Sequence, residues 1–243
     1  MDAAAAHARL RAISASLDDC PCCTTVAYGY RHVPGGGCTT EPEWMLVLIN
    51  PTPRNPTAHA DWQGTRFPMA AKGRFWRLLR DAGWVNPEFL AHLDTLAPTP
   101  QMVDLLRSEA ERGSFYLTNA IKCVDGGSNV PQAARLARGW DVLQREIAAV
   151  QPRRILAFGL LPFGMLTGHS IRLADELWKA RHGHYTPYRS HPVEGRTYTV
   201  YPCYFPTGRG NPTAAREMLS VLKHQTTQLS GEHAGAQDDA PLA

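Results

Sequence analysis

Two carboxamides and one arginine-bearing, glycine-rich turn are the residues of this chain best suited to chemistry. Asn50 closes the apolar run Met45-Leu46-Val47-Leu48-Ile49 and is followed at once by Pro51 and Pro53. Asn119 closes a second run, Phe115-Tyr116-Leu117-Thr118, and the turn Phe205-Pro206-Thr207-Gly208-Arg209-Gly210 follows a later one. A carboxamide offers a donor and an acceptor together, so it can read an edge that carries one of each. It cannot serve as a general base at neutral pH, which leaves it orientation rather than proton abstraction. In the turn, glycine lets backbone N–H groups approach a phosphate, and Arg209 can pair with one. Taken singly, a strand-end Asn is equally a turn or cap residue, and Gly208 and Gly210 equally a tight connection. Three polar strand ends on one sheet edge favour a shared pocket.

Such groups need a rigid frame. The unbroken apolar run before Asn50 reads as a strand buried on both faces, and the prolines stop it from continuing. In open α/β sheets, ligands bind beyond the carboxyl ends of strands. Four strands are predicted, at 44–50, 114–122, 153–159 and 198–204. Leu10, Ile13 and Leu17 give the first segment helical spacing, and further helices are expected at 72–82, 98–112, 131–150, from Pro162, at 171–181 and at 211–228. Gly113 stops one of them and Pro131 suits the first turn of another. The alternation predicts an α/β fold, a three-layer αβα sandwich around a mainly parallel four-stranded sheet. The expected division is an N-terminal helix over 1–19, one domain over 20–228 and a disordered tail over 229–243.

At 243 residues with 44% hydrophobic content, the chain fits a single large globular domain. A net charge of +3 and a pI near 8.6 tolerate a polyanionic partner without requiring one. No apolar stretch approaches the roughly 18 residues of a membrane span, and the start has no apolar signal core, so a cytoplasmic address is expected. Six cysteines in such a chain argue against a disulfide framework. There is no internal repeat. The absence of G-x-x-x-x-G-K-[ST] and of G-x-G-x-x-G after a strand counts against a nucleotide-binding α/β protein.

Several segments resemble a known family. Leu48-Ile49-Asn50-Pro51-Thr52-Pro53, the loop Arg66-Phe67-Pro68, the helix Gly73-Arg74-Phe75-Trp76-Arg77-Leu78-Leu79 and Ala82-Gly83 resemble the mismatch-specific uracil/thymine-DNA glycosylases. Tyr116-Leu117-Thr118-Asn119-Ala120-Ile121-Lys122-Cys123, and Gln151-Pro152 leading into the third strand, look more like the iron–sulfur uracil-DNA glycosylases. The likeness to this superfamily runs over about residues 20–225. It implies an enzyme that everts a pyrimidine nucleotide and hydrolyses its N-glycosidic bond, leaving an abasic site. It also implies that Asn50 orients the attacking water and that Asn119 reads the pyrimidine edge. Phe67 corresponds to the ring that stacks on the base, with Met69 as the alternative because the loops differ by one residue. Thr207, Gly208, Arg209 and Gly210 would contact DNA. Phe75 and Trp76 read as core. Where relatives have H-P-S or N-P-S, this chain has Phe205-Pro206-Thr207, so the first polar side chain is missing. His191-Pro192 spells a similar pair but precedes the fourth strand, which makes the match a decoy, although His191 could still reach the pocket from its loop.

The resemblance also raises a metal. Cys20, Cys22 or Cys23 and Cys123 stand near family ligand positions, but the fourth falls near Gly139. A cluster normally requires four thiolates. Cys38, or a histidine beside zinc, could complete a site. No cofactor is required for the chemistry, and the expectation is that these cysteines are vestigial or simply buried.

Substrate choice stays open. Uracil-only relatives use a bulky tyrosine in the first motif to exclude C5 substituents, and this chain has Thr52-Pro53 there. Uracil or a mismatched or damaged pyrimidine in host DNA is one reading. A bulky C5-modified cytosine, such as glucosylated hydroxymethylcytosine in phage DNA, is the other. A non-catalytic DNA-binding module on the same fold is the alternative of another class, supported by Phe205 and opposed by the retention of Asn50 and Asn119. DNA is the expected partner and a monomer the expected state.

Overall fold

Four apolar runs become the four inner strands of one sheet. The structure, a computed structural model, describes residues 2–18, 29–71, 73–124, 133–208 and 210–234, with side chains as far as 225. Chain order is α1 (Ala3–Asp18), β1 (Gly36–Gly37), β2 (Trp44–Leu48), α2 (Arg74–Asp81), α3 (Pro87–Thr95), α4 (Pro100–Arg112), β3 (Phe115–Asn119), α5 (Ala133–Val150), β4 (Arg154–Phe158), α6 (Leu160–Thr167), α7 (Leu173–Arg181), β5 (Tyr188–Arg189), β6 (Thr199–Cys203) and α8 (Pro212–Ala234). The sheet order is β1-β3-β2-β4-β6-β5.

The expectation of a four-stranded sheet needs correction. β3, β2, β4 and β6 are the four expected strands and pair in parallel, but the sheet is six-stranded and mixed. β1 and β5, two residues each, add antiparallel edges on β3 and β6. Strands this short show no alternation, and a Gly-Gly pair carries no strand preference of its own. They shield the parallel edges, which would otherwise present unpaired backbone groups.

Alternation along the strands sorts the core into two layers. Leu46 and Leu48 of β2, Phe115 and Leu117 of β3, and Leu156 and Phe158 of β4 pack against α2, α3, α4 and α8. Met45, Val47, Tyr116, Ile155, Ala157 and Val200 pack against α5 and α6 on the other face. α1 lies outside α5, burying Ile13 and Leu17 against Val142 and Ala149. All five residues of β2 are buried, as the unbroken apolar run requires.

Helix α3 went unforeseen, although its signals are local. Asn86 caps it by accepting from the Glu88 amide at 2.9 Å, and Pro87 occupies its first turn. α8 runs to Ala234, beyond the expected end at 228, and residues 235–243 of the expected tail lie outside the described residues. Among the described residues no helix is long and apolar enough to cross a membrane.

Trp76 is the hinge of the first layer: it is fully buried and its ring meets those of Phe67, Phe75, Phe89 and Phe115. Trp76→Ala is expected to cost about 3–5 kcal/mol, read as a lower midpoint in urea unfolding.

Candidate active site

Connections that leave neighbouring strands toward opposite faces open a crevice at the strand ends. β2 leads into α2 on one face, whereas β3 leads into α5 and β4 into α6 on the other. The carboxyl end of β2 is therefore flanked on each side by a topological switch point, where a crevice is favoured. Asn119 ends β3 opposite Leu48, and the chains stay paired beyond the strands: Ala120 N–H donates to Leu48 at 2.7 Å and Ile121 N–H to Ile49 at 2.9 Å. This register brings Asn50 and Asn119 to the same edge on adjacent strands.

The two carboxamides differ in surroundings. Asn50 is half-buried and donates from Nδ2 to the Pro51 carbonyl at 3.1 Å. Asn119 is 2% exposed, yet its Nδ2 has no hydrogen-bond partner among the described residues. A buried amide donor left unpaired costs on the order of 1–3 kcal/mol, so in a native site it signals a ligand or water. By strand alternation Asn119 projects to the face of Phe115 and Leu117, where Phe67 also lies.

The loop between β2 and α2 is pinned by polar contacts that sequence reading missed. Asn55 is buried, accepts from the Thr57 amide at 3.1 Å and donates to the Phe67 carbonyl at 2.9 Å. The Phe67 amide donates to the Thr57 hydroxyl at 3.1 Å, and Trp76 Nε1 donates to the Met69 carbonyl at 2.9 Å. The signal was available in Asn55-Pro56, a cap followed by proline. Phe67 has no accessible surface; its ring stacks on Trp76, with centroids 6.4 Å apart, and Gly36 packs against it with no room for a side chain. Met69 is partly exposed and held at a φ of +53°, a left-handed conformation that a residue with a Cβ adopts at a cost. Of the two candidates for base stacking, Met69 carries the accessible surface. Thr52 and Pro53 are exposed. Phe75 and Trp76 are core, as expected.

Positive charge gathers beside these strand ends. Arg66 donates to the Thr57 carbonyl and, at 2.9 Å, to the His59 carbonyl; burial and then neighbouring Arg31 draw its guanidinium below the ordinary arginine pKa. His32 is also depressed, by burial first, with Asp18 opposing and Arg66, Arg31 and Lys122 adding to the shift. Neither Arg31 nor Arg66 was foreseen, because only the fold brings residues 31, 66 and 122 together.

At the end of β6, Gly210 N–H donates to the Thr207 carbonyl at 3.0 Å, and Gly208 is exposed with a φ of +62°. A Cβ on Gly210 would collide with the Phe205 carbonyl, so the tight turn needs that glycine. Asn211 then caps α8, accepting from the Ala214 amide at 3.1 Å. Phe205 is half-buried against the first layer. Arg209 lies outside the described residues. His191 donates through its amide to the Leu166 carbonyl at 2.7 Å, and its ring lies edge-on to that of Trp140, with centroids 6.1 Å apart.

The cysteines among the described residues do not supply a four-thiolate cluster. Cys123 is disulfide-bonded and so supplies no free thiolate. Gly139 packs against β3's exit: a Cβ there would stand 2.7 Å from the Ala120 carbonyl, so a cysteine has no room. Cys38 and Cys203 are free, and burial pushes the Cys203 thiol well up. Cys20, Cys22 and Cys23 lie outside the described residues. Among the described residues no three His, Cys, Asp or Glu side chains group to hold a metal.

Fold and strand ends together define an α/β protein with two carboxamides at the carboxyl edge of its sheet. A family model of the uracil DNA glycosylase superfamily matches residues 34–223, and the chain belongs to that superfamily. No curated protein matches it. Members are generally DNA glycosylases, hydrolases that act on DNA and generally need no cofactor.

Because Gly139 lets α5 approach the Ala120 carbonyl, Gly139→Ala should push the two apart. The expected cost is about 1–3 kcal/mol, measured by chemical denaturation.

Proposed function

We propose that this protein is a monofunctional DNA glycosylase that everts a pyrimidine nucleotide and hydrolyses its N-glycosidic bond without cutting the strand. The observation that carries the reading is the buried, unpartnered Asn119 amide beside Asn50. Asn119 reads the edge of the everted base, its Nδ2 donating to an acceptor there. Asn50 orients a water toward C1′ as the sugar gains oxocarbenium character. No side chain at the Phe205 position can stabilise the departing base, so acceleration rests on positioning and on donors aimed at the base. Met69 supplies the apolar face for the base, while Arg209, Thr207 and the amides of Gly208 and Gly210 grip the DNA backbone. The protein works as a monomer in the cytoplasm and uses no metal in the reaction.

Uracil or a mismatched or damaged pyrimidine, in repair, is the primary substrate reading. A bulky C5-modified cytosine in viral DNA, removed in defence, is the second; the exposure of Thr52 and Pro53, with no ring there to bar a C5 substituent, favours it. A non-catalytic DNA-binding module is the third, favoured by Phe205 alone.

Labelled duplexes containing uracil, mismatched thymine or glucosylated hydroxymethylcytosine, treated with protein and then alkali, decide among these readings. Abasic sites on one of them identify the substrate class; none on any of them leaves the binding module. Asn50→Ala is expected to slow release by about a hundredfold or more with DNA affinity retained. An unfolded Asn50→Ala variant would make Asn50 a structural residue. Arg209→Ala should lower the slope of log affinity against log salt by about one, and an unchanged slope removes Arg209 from the interface.

A further inference from the structure

Behind Asn119 lies a buried ion pair that the proposed chemistry does not use. Lys122 and Glu146 have side chains 1% exposed, with Nζ 2.6 Å from Glu146 Oε2. The ammonium also donates to Thr118 Oγ1 at 2.6 Å and to the Asn119 carbonyl. Three N–H groups thus meet three acceptors, the full complement of a lysine ammonium. Glu146 collects the Thr118 hydroxyl at 2.7 Å, the Gly35 amide at 3.2 Å and the Tyr116 hydroxyl at 3.5 Å. The network therefore joins β3, its exit turn, α5 and the strand-leading loop at Gly35.

Its placement is asymmetric. Tyr116 belongs to the α5 face of the sheet, and Thr118, two residues on, reaches Glu146 of α5 on that same face. Asn119 projects to the opposite face by alternation. The ammonium grips the Asn119 backbone from one side while the carboxamide Nδ2, on the other, has no partner among the described residues. Stability alone does not call for such a device, since well-packed apolar residues often replace a buried ion pair without loss. Burial draws Lys122 below the usual lysine pKa, while Glu146 pulls it upward.

We propose that Lys122, backed by Glu146, is a positioning residue that fixes the main chain of Asn119, so that its carboxamide is presented to the base in one orientation. The inference rests on the base-reading role of Asn119 given above. It converts a charge pair remote from the reacting atoms into a determinant of how well the base edge is read.

The test is the paired replacement Lys122→Met with Glu146→Leu, which keeps the volume and removes both charges. Circular dichroism checks the fold. Selective ¹⁵N labelling of asparagine, with the Asn119 side-chain resonances assigned by their loss in Asn119→Ala, reads orientation without any reaction. One sharp pair is expected in the parent protein and broadened or multiple signals in the paired variant. Single-turnover base release from the duplex that proves to be the substrate should fall about 10–100-fold, with affinity for an unmodified duplex unchanged. In an Asn119→Ala background the same replacement should add little. Thr118→Val, which removes one acceptor and keeps the charges, should fall between, and it decides the matter if the paired variant does not fold. Unaltered Asn119 resonances, an unaltered rate, or a loss that adds in full to that of Asn119→Ala would each overturn the proposal. A parent protein that releases no base from any duplex would sink the glycosylase reading instead, and the resonances would still decide whether Lys122 positions Asn119.

Discussion

The end of β2 is held from every side, and the rest of the site follows from that. β3 and β4 flank the strand in parallel and helices cover both of its faces, so its backbone and side chains have one arrangement. Asn50 leaves this strand where the chain must turn at Pro51. The same pairing continues past the strand ends to Ile49 and Ile121, so the position of Asn119 depends on that of β2. With connections leaving to opposite faces, the crevice arises from chain path rather than from any loop conformation.

Polar groups buried around this edge are costly, and their distribution separates frame from function. Asn55, Thr57 and Glu146 have their hydrogen bonds met within the protein. They tie the loop after β2 and the exit of β3 to the core. Asn119 Nδ2 is left unmet, and Met69 is held at a φ that strains a side-chain-bearing residue. Satisfied groups hold the shape, and the unsatisfied and strained ones are the residues to which the proposed reading assigns the base.

On the proposed reading, the turn after β6 bears on how much of the chemistry rests on positioning. Phe205 packs its ring against the first core layer, so this corner is tied to the fold instead of offering a polar group. What remains is backbone geometry set by Gly208 and Gly210, and cationic side chains. Arg31 and Arg66 add positive charge from elements far apart in sequence, which suits a partner that carries phosphate along its length.

Periodicity and strand-end composition were enough to read the four inner strands, most helices, and Asn50 and Asn119 as residues on one edge, because these are local patterns with a fixed side-chain spacing. The buried run Trp44–Leu48 could only be a central strand, and a polar residue closing it could only stand at a sheet edge. Tertiary structure alone decided the two short edge strands, the enclosure of Phe67 and the disulfide at Cys123. It also decided the exclusion of a cysteine at position 139 and the meeting of Lys122 with Glu146. Each of these depends on which segments approach in space, and the local sequence around a residue carries no mark of a contact made through the fold.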